Sequence, residues 1–129
     1  MRTPEQILRD ARTIAIVGAS PREDRPSHTV MRYLQRAGFR CLPVNPTCEE
    51  VLGVRAVPRL ADLEEPVDLV DVFRRSELCP DVARQAAAAG APALWLQLGI
   101  FSDEARRIAE EAGMDYVENA CTAVVHRFL

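Results

Sequence analysis

Thr13-Ile14-Ala15-Ile16-Val17-Gly18-Ala19-Ser20-Pro21-Arg22-Glu23-Asp24-Arg25-Pro26-Ser27 is the stretch on which the fold turns. Its first five residues form a short apolar, β-branched run, the pattern of a strand covered on both faces rather than on one. Gly18 ends the run and a polar loop follows. Ser27 stands where an N-cap belongs, ahead of Val30, Met31, Leu34 and Ala37 at helical spacing, and Gly38 closes that helix.

The same strand, loop and helix pattern repeats outward from this unit. Upstream, Thr3-Pro4-Glu5 gives a cap followed by a first-turn proline and predicts a helix over 4–11. Downstream, Arg40–Val44 predicts a strand stopped by Asn45-Pro46. A short extended piece is expected within 51–57, and a helical turn ending near Asp62-Leu63. Val67–Phe73, Ala93–Gln97 and Asp115–Val117 predict three more strands. Helices are expected from Ser76 as cap through Ala89, from Ser102 to Gly113, and over 120–127. Strands alternating with helices in this way build βαβ units. The expectation is a single α/β domain over 1–129, a Rossmann-like open, mostly parallel sheet of about five strands with helices on both faces. Right-handed crossovers bring the strand C-termini to one edge, where ligands of such sheets bind near the switch in strand order. The loops 18–27, 45–46, 73–76, 97–101 and 118–122 therefore hold the candidate site.

Composition narrows the function. Of the 129 residues 48% are hydrophobic and 27% charged, ordinary values for a globular protein. A net charge of −3 argues against nucleic acid as a partner. All sixteen basic residues are arginine, which excludes a Schiff-base lysine and a P-loop lysine. No apolar run approaches the roughly 20 residues of a membrane span. Met1–Asp10 reads as a polar amphipathic helix and not as a signal peptide, so a reduced, cytoplasmic location is the simplest expectation. Cys41, Cys48, Cys79 and Cys121 form no CxxC pair, and with two histidines they make a poor zinc set.

The first loop is the most informative. A helix N-terminus after a strand offers free N–H groups and a favourable dipole to phosphate. Ser20 and Ser27 add hydroxyls, and Arg22 and Arg25 add charge. The alternative is a solvated loop whose serine only caps a helix. The dinucleotide fingerprint is absent, because Gly18 alone matches a glycine of GxGxxG. The acid that holds the ribose of NAD is also missing, since the second strand ends in Val44-Asn45-Pro46. Asn45 can bond a ribose or an adenine edge and Pro46 can pack on a base, or the two form a plain Asn-Pro turn. At the end of the third long strand Phe73 can meet an adenine, while Arg74 and Arg75 are either phosphate ligands or surface charges.

Read in order, Ile14–Ser20, Pro43–Pro46, Val70–Arg74, Leu94–Ile100 and Asn119–Thr122 resemble the small bacterial CoA-binding proteins related to the N-terminal domain of the succinyl-CoA synthetase α subunit. The resemblance spans roughly residues 10–127. It implies a Rossmann-like fold with coenzyme A, or an acyl-CoA, as its small-molecule ligand. It places Gly18, Ala19 and Ser20 at the pyrophosphate loop, Asn45 and Pro46 near the nucleotide, and Phe73 with Arg74 along the CoA groove. Gln97 and Gly99 line the path to the thiol end. The synthetases phosphorylate a histidine in a further domain, so their activity does not carry over. His28 and His126 are read as surface or packing residues. Cys121, near a helix start, is either a thiol able to form a mixed disulfide with CoA or a small buried side chain. No activated nucleophile or base is identifiable. The expected role is a non-catalytic binding, carrier or regulatory module, with a small acyl-CoA-acting enzyme or a nucleotide-binding regulator as alternatives. A protein partner is left open.

Overall fold

The computed structural model describes residues 1–129. The chain runs α1 (Pro4–Asp10), β1 (Thr13–Val17), α2 (Pro26–Arg36), β2 (Arg40–Val44), β3 (Glu50–Val51), β4 (Val54–Arg55), β5 (Leu69–Val72), α3 (Cys79–Ala88), β6 (Ala93–Leu96), α4 (Asp103–Glu111), β7 (Asp115–Val117) and α5 (Thr122–Arg127). Five strands form one sheet in the order β2-β1-β5-β6-β7, every pair parallel. The chain steps from β1 to β2 on one side and returns to β5 on the other. The C-terminal ends of β1 and β5 are thus the switch point where this topology opens a crevice.

Alternation along the strands divides the core into two layers. Ala15, Val17, Val70, Val72, Leu94 and Leu96 pack against Val82, Ala83 and Ala86 of α3 and Ala105 and Ala109 of α4. The alanines let those helices lie close to the sheet. Ile14, Ile16, Leu69, Ala93 and Trp95 pack on the other face against Ile7, Leu8, Val30, Met31 and Leu34. β5 contributes one charged residue to this second face, Asp71, with no exposed surface.

Three local expectations change. The helix expected to be capped by Ser27 begins two residues earlier, at Pro26, with Arg25 as an N-cap that gives no side-chain bond. Proline's fixed φ suits the first helical position, and this moves Ser27 into the first turn, where it is buried. Ser76 opens a short 3₁₀ turn, Ser76–Leu78, rather than α3 itself. Its hydroxyl accepts instead from the Phe101 N–H at 3.0 Å, joining two loops of the ligand edge. The extended piece within 51–57 is an antiparallel hairpin of β3 and β4, followed by a parallel bridge from Val57 to Val44. The strands β1, β2 and β7 have the predicted bounds, because each is an apolar run closed by a glycine, Asn-Pro or acidic stop.

Candidate functional site

A cavity of about 730 Å³ opens at the switch point, within the range of small-ligand sites. The β1–α2 loop forms one wall through Gly18, Ser20, Arg22 and Arg25, and α2 continues it with Pro26, Ser27 and Val30. Asn45, Thr47 and Cys48 come from the loop after β2, and Phe73 from the end of β5. Gln97, Leu98 and Ile100 follow β6, and Cys121 precedes α5.

The β1–α2 loop is held from several sides. The Gly18 N–H donates to Val44 O at 2.9 Å, and the Phe73 N–H donates to Val17 O at 2.8 Å. Gly18 itself sits at φ 86°, and a Cβ there would lie 2.9 Å from the Phe73 carbonyl oxygen. Only glycine meets both conditions. His28 places Nδ1 3.0 Å from Ser20 O, and since a carbonyl only accepts, that ring nitrogen carries the proton. His28 is buried and braces the loop. Asn45 does the same from the second strand. Its Nδ2 donates to Ala19 O at 2.6 Å, and its Oδ1 accepts from the Thr47 N–H and hydroxyl, both at 2.8 Å. Replacing Asn45 with alanine removes these bonds and leaves the carbonyl of the fully buried Ala19 without its donor. The expected loss is about 1–3 kcal/mol, read as a lowered midpoint in urea denaturation.

The electrostatics of this wall favour an anion. The N–H of Ser27, in the first turn of α2, has no carbonyl one turn ahead of it, and the dipole's positive end lies here. Arg22 is engaged with Asp24 at 2.9 Å. Arg25 is exposed and makes no ion pair, so its guanidinium is available at the cavity.

The far end of the cavity is built differently. Gln97 is only 4% exposed, and its Nε2 donates to Asp71 Oδ1 at 2.6 Å and to Thr122 Oγ1 at 2.9 Å. The Thr122 hydroxyl in turn donates to Asp71 Oδ2 at 3.0 Å. Complete burial pushes the Asp71 carboxyl up to about 7, against the downward pull of its bonds from Gln97 and Thr122. Phe73, Leu98 and Ile100 make the surroundings apolar.

Seven of the residues singled out in the sequence, Gly18, Ser20, Arg25, Ser27, Asn45, Phe73 and Gln97, therefore line one cavity, together with Arg22 and Cys121. Five lie off it. Ala19 is fully buried under the loop. Pro46 and Arg74 border a separate depression of about 190 Å³ on the α3 side. Arg75 and Gly99 are exposed outside both, and the Gly99 N–H is taken by Asn119 Oδ1 at 2.8 Å. His126 lies away from the cavity, its Nδ1 2.8 Å from the Tyr33 hydroxyl. Leu98 and Ile100 fall in the 97–101 loop expected at the site, while Thr47, Cys48 and Val30 were not singled out for it because nothing in their spacing marks them as site residues. Asp71 and Thr122 left a signal, a lone carboxylate in an apolar strand and a hydroxyl opening a helix. No cluster of three or more His, Cys, Asp or Glu residues is placed to hold a metal ion, and no helix is long and apolar enough to cross a membrane.

Comparison with known proteins agrees with this architecture. The sequence profile of a family described as "CoA binding domain" matches residues 12–127. The chain is similar to the uncharacterized protein YneT of Bacillus subtilis (strain 168), at 43% identity over 122 residues, covering 95% of this chain and 90% of that protein. It is also similar to acetate–CoA ligase [ADP-forming] II of Archaeoglobus fulgidus, at 26% identity over 101 residues, covering 77% of this chain but only 15% of the ligase. Among solved structures, a hypothetical protein from Pyrococcus horikoshii OT3 superposes with a TM-score of 0.95 at 37% identity, covering 99% of this chain and 92% of that one. The Rossmann-like α/β fold with a parallel five-strand sheet is thus shared with that structure.

Proposed function

The chain belongs to the CoA-binding domain family, and from that premise we propose that it binds coenzyme A or an acyl-CoA, acting as a binding, carrier or regulatory module. One observation carries this reading. A single cavity at the β1/β5 switch point joins an anion-favouring wall to an apolar end. A phosphate-bearing nucleotide suits the first, and a long, mostly apolar arm suits the second. The ligase relative is several times longer than this chain, and its activity is not carried over.

Isothermal titration with CoA, acetyl-CoA and NAD tests the reading. CoA is expected to bind, and NAD to bind more weakly, because the second strand ends without a ribose-binding acid. Equal or tighter binding of NAD, or no binding of CoA at about millimolar concentration (weaker than ~4 kcal/mol), overturns it.

Arg25→Ala is expected to weaken CoA binding by about 1.5–3 kcal/mol, roughly ten- to a hundredfold in Kd, through loss of a charge-assisted phosphate contact. The thermal midpoint should stay near that of the parent, since Arg25 is exposed and touches no other charge. Arg74→Ala, in the neighbouring depression, reads a separate question. A loss of affinity there means that the ligand reaches past the Gly18–Phe73 contact toward α3.

A further inference from the structure

We infer that Gln97 presents a fixed hydrogen-bond acceptor to the ligand, and that the group it takes is an amide N–H of the pantetheine arm. The inference rests on the coenzyme A reading and adds to it the atom that meets the arm and the polarity of that contact.

The side chain's orientation is dictated by its neighbours. Asp71 Oδ1 lies 2.6 Å from one end of the Gln97 amide. With Asp71 ionised, a carbonyl oxygen turned to that place would meet a carboxylate oxygen, so the NH₂ group faces it. The second hydrogen of Nε2 goes to Thr122 Oγ1, whose own hydrogen goes to Asp71 Oδ2. Both amide hydrogens are thereby used, and the ionised carboxylate fixes the amide in this orientation.

The carbonyl oxygen Oε1 is what remains. It accepts no hydrogen bond from the protein, although Gln97 is 96% buried (4% exposed). No fully enclosed side-chain oxygen or nitrogen in the chain lacks a partner, so Oε1 opens onto the cavity that Gln97 lines. Phe73, Leu98 and Ile100 stand around that end. An acceptor in such surroundings favours a ligand that brings a donor and disfavours one that brings another acceptor.

Phosphate oxygens are acceptors, and they have Arg25 and the α2 N-terminus at the other end of the cavity. Of the parts of coenzyme A, the pantetheine arm combines methylene segments with amide N–H donors. The ligand is therefore oriented with its nucleotide over the β1–α2 loop and its arm toward β6 and α5.

The test changes the ligand rather than the fold. Two CoA analogues, each with one pantetheine amide replaced by an ester, are titrated at about pH 8, where Asp71 is ionised, into the wild-type protein beside CoA and 3′-phospho-ADP. At least one analogue is expected to bind about tenfold more weakly than CoA, the loss of one hydrogen bond to a buried acceptor. Gln97→Met, of similar volume and without the acceptor, is expected to bind that analogue and CoA alike. If both analogues bind wild type as tightly as CoA, or if Gln97→Met still discriminates, the inference fails. Wild-type protein that binds neither CoA nor 3′-phospho-ADP overturns the coenzyme A reading itself. CoA bound with no preference between amide and ester overturns this inference alone. Equal binding of both analogues by the wild type overturns the inference even where the variant does not fold.

Discussion

Gly18→Ala is expected to destabilise the protein by about 3 kcal/mol and to abolish measurable CoA binding in the same sample. Two costs add at this position. The backbone holds φ 86°, in the left-handed region, which costs an alanine roughly 1–2 kcal/mol. The new Cβ also meets the Phe73 carbonyl oxygen at 2.9 Å and the carbonyl carbon at 3.1 Å. These are backbone atoms of the neighbouring strand's exit and cannot rotate away, so overpacking adds about 1–3 kcal/mol. The chain can relieve the clash only by spreading the ends of β1 and β5. That movement strains the Phe73 N–H bond to Val17 O, now 2.8 Å, and shifts Phe73 and Ser20 at the cavity. Urea denaturation reads the first effect and calorimetry with CoA the second. A variant of parental stability and affinity would show that the two strand ends are not tightly coupled. Gly38→Ala is the control, since its φ is also positive, at 103°, but nothing lies within 4 Å of its missing Cβ. It should lose stability without losing the ligand.

This coupling also explains how much of the site was legible before the structure. Val17-Gly18 announced a strand that stops abruptly, and strand alternation with helices gave the parallel sheet. The edge on which loops gather then followed from topology. Local apolar runs are strong signals because burial on both faces leaves few polar residues in them, Asp71 in β5 being the exception. The loops carried less. Arg74 and Arg75 stand beside Phe73 in sequence, yet the chain turns so that Phe73 lines the large cavity, Arg74 borders the α3-side depression and Arg75 meets solvent. Adjacent residues at the end of a strand point to opposite faces, and their sequence neighbourhood does not say which face holds the ligand. Asn45 lines the cavity, and its polar atoms also bind Ala19 O and Thr47. Ser27 looked like a cap, and Pro26 took the first helical position ahead of it. At Ser27 a steric preference of the neighbouring proline overrode a correct local one.

Asp71 is the position where such a constraint has the largest energetic consequence. Asp71→Asn is expected to stabilise the protein increasingly as pH rises from about 4 to about 7, and by a constant amount above that. The carboxyl lies wholly inside the sheet and burial pushes it up from 3.8 to about 7. The folded state therefore holds this proton more tightly than the unfolded chain does. Between the two values the unfolded chain has released it and the folded one has not, so stability falls with rising pH. Below about pH 4 both states are protonated and this group costs nothing extra. Above about pH 7 both are ionised and the full cost is present. Three pH units at about 1.4 kcal/mol each give a cost on the order of 4 kcal/mol. Asparagine keeps the shape, offers an oxygen to Gln97 Nε2 and an NH₂ to Thr122 Oγ1, and does not titrate. Urea denaturation of both proteins at pH 4, 5.5, 7 and 8 measures the difference, which isolates Asp71 from the carboxylates that the two proteins share. Cys41, pushed up to about 12 by burial and by Asp71, stays neutral throughout this window. A difference that does not change between pH 4 and pH 8 would mean that Asp71 ionises inside the fold as readily as outside it. The buried bonds from Gln97 and Thr122 would then suffice to solvate a charge, and the acceptor they leave facing the cavity would be held by a fully ionised base.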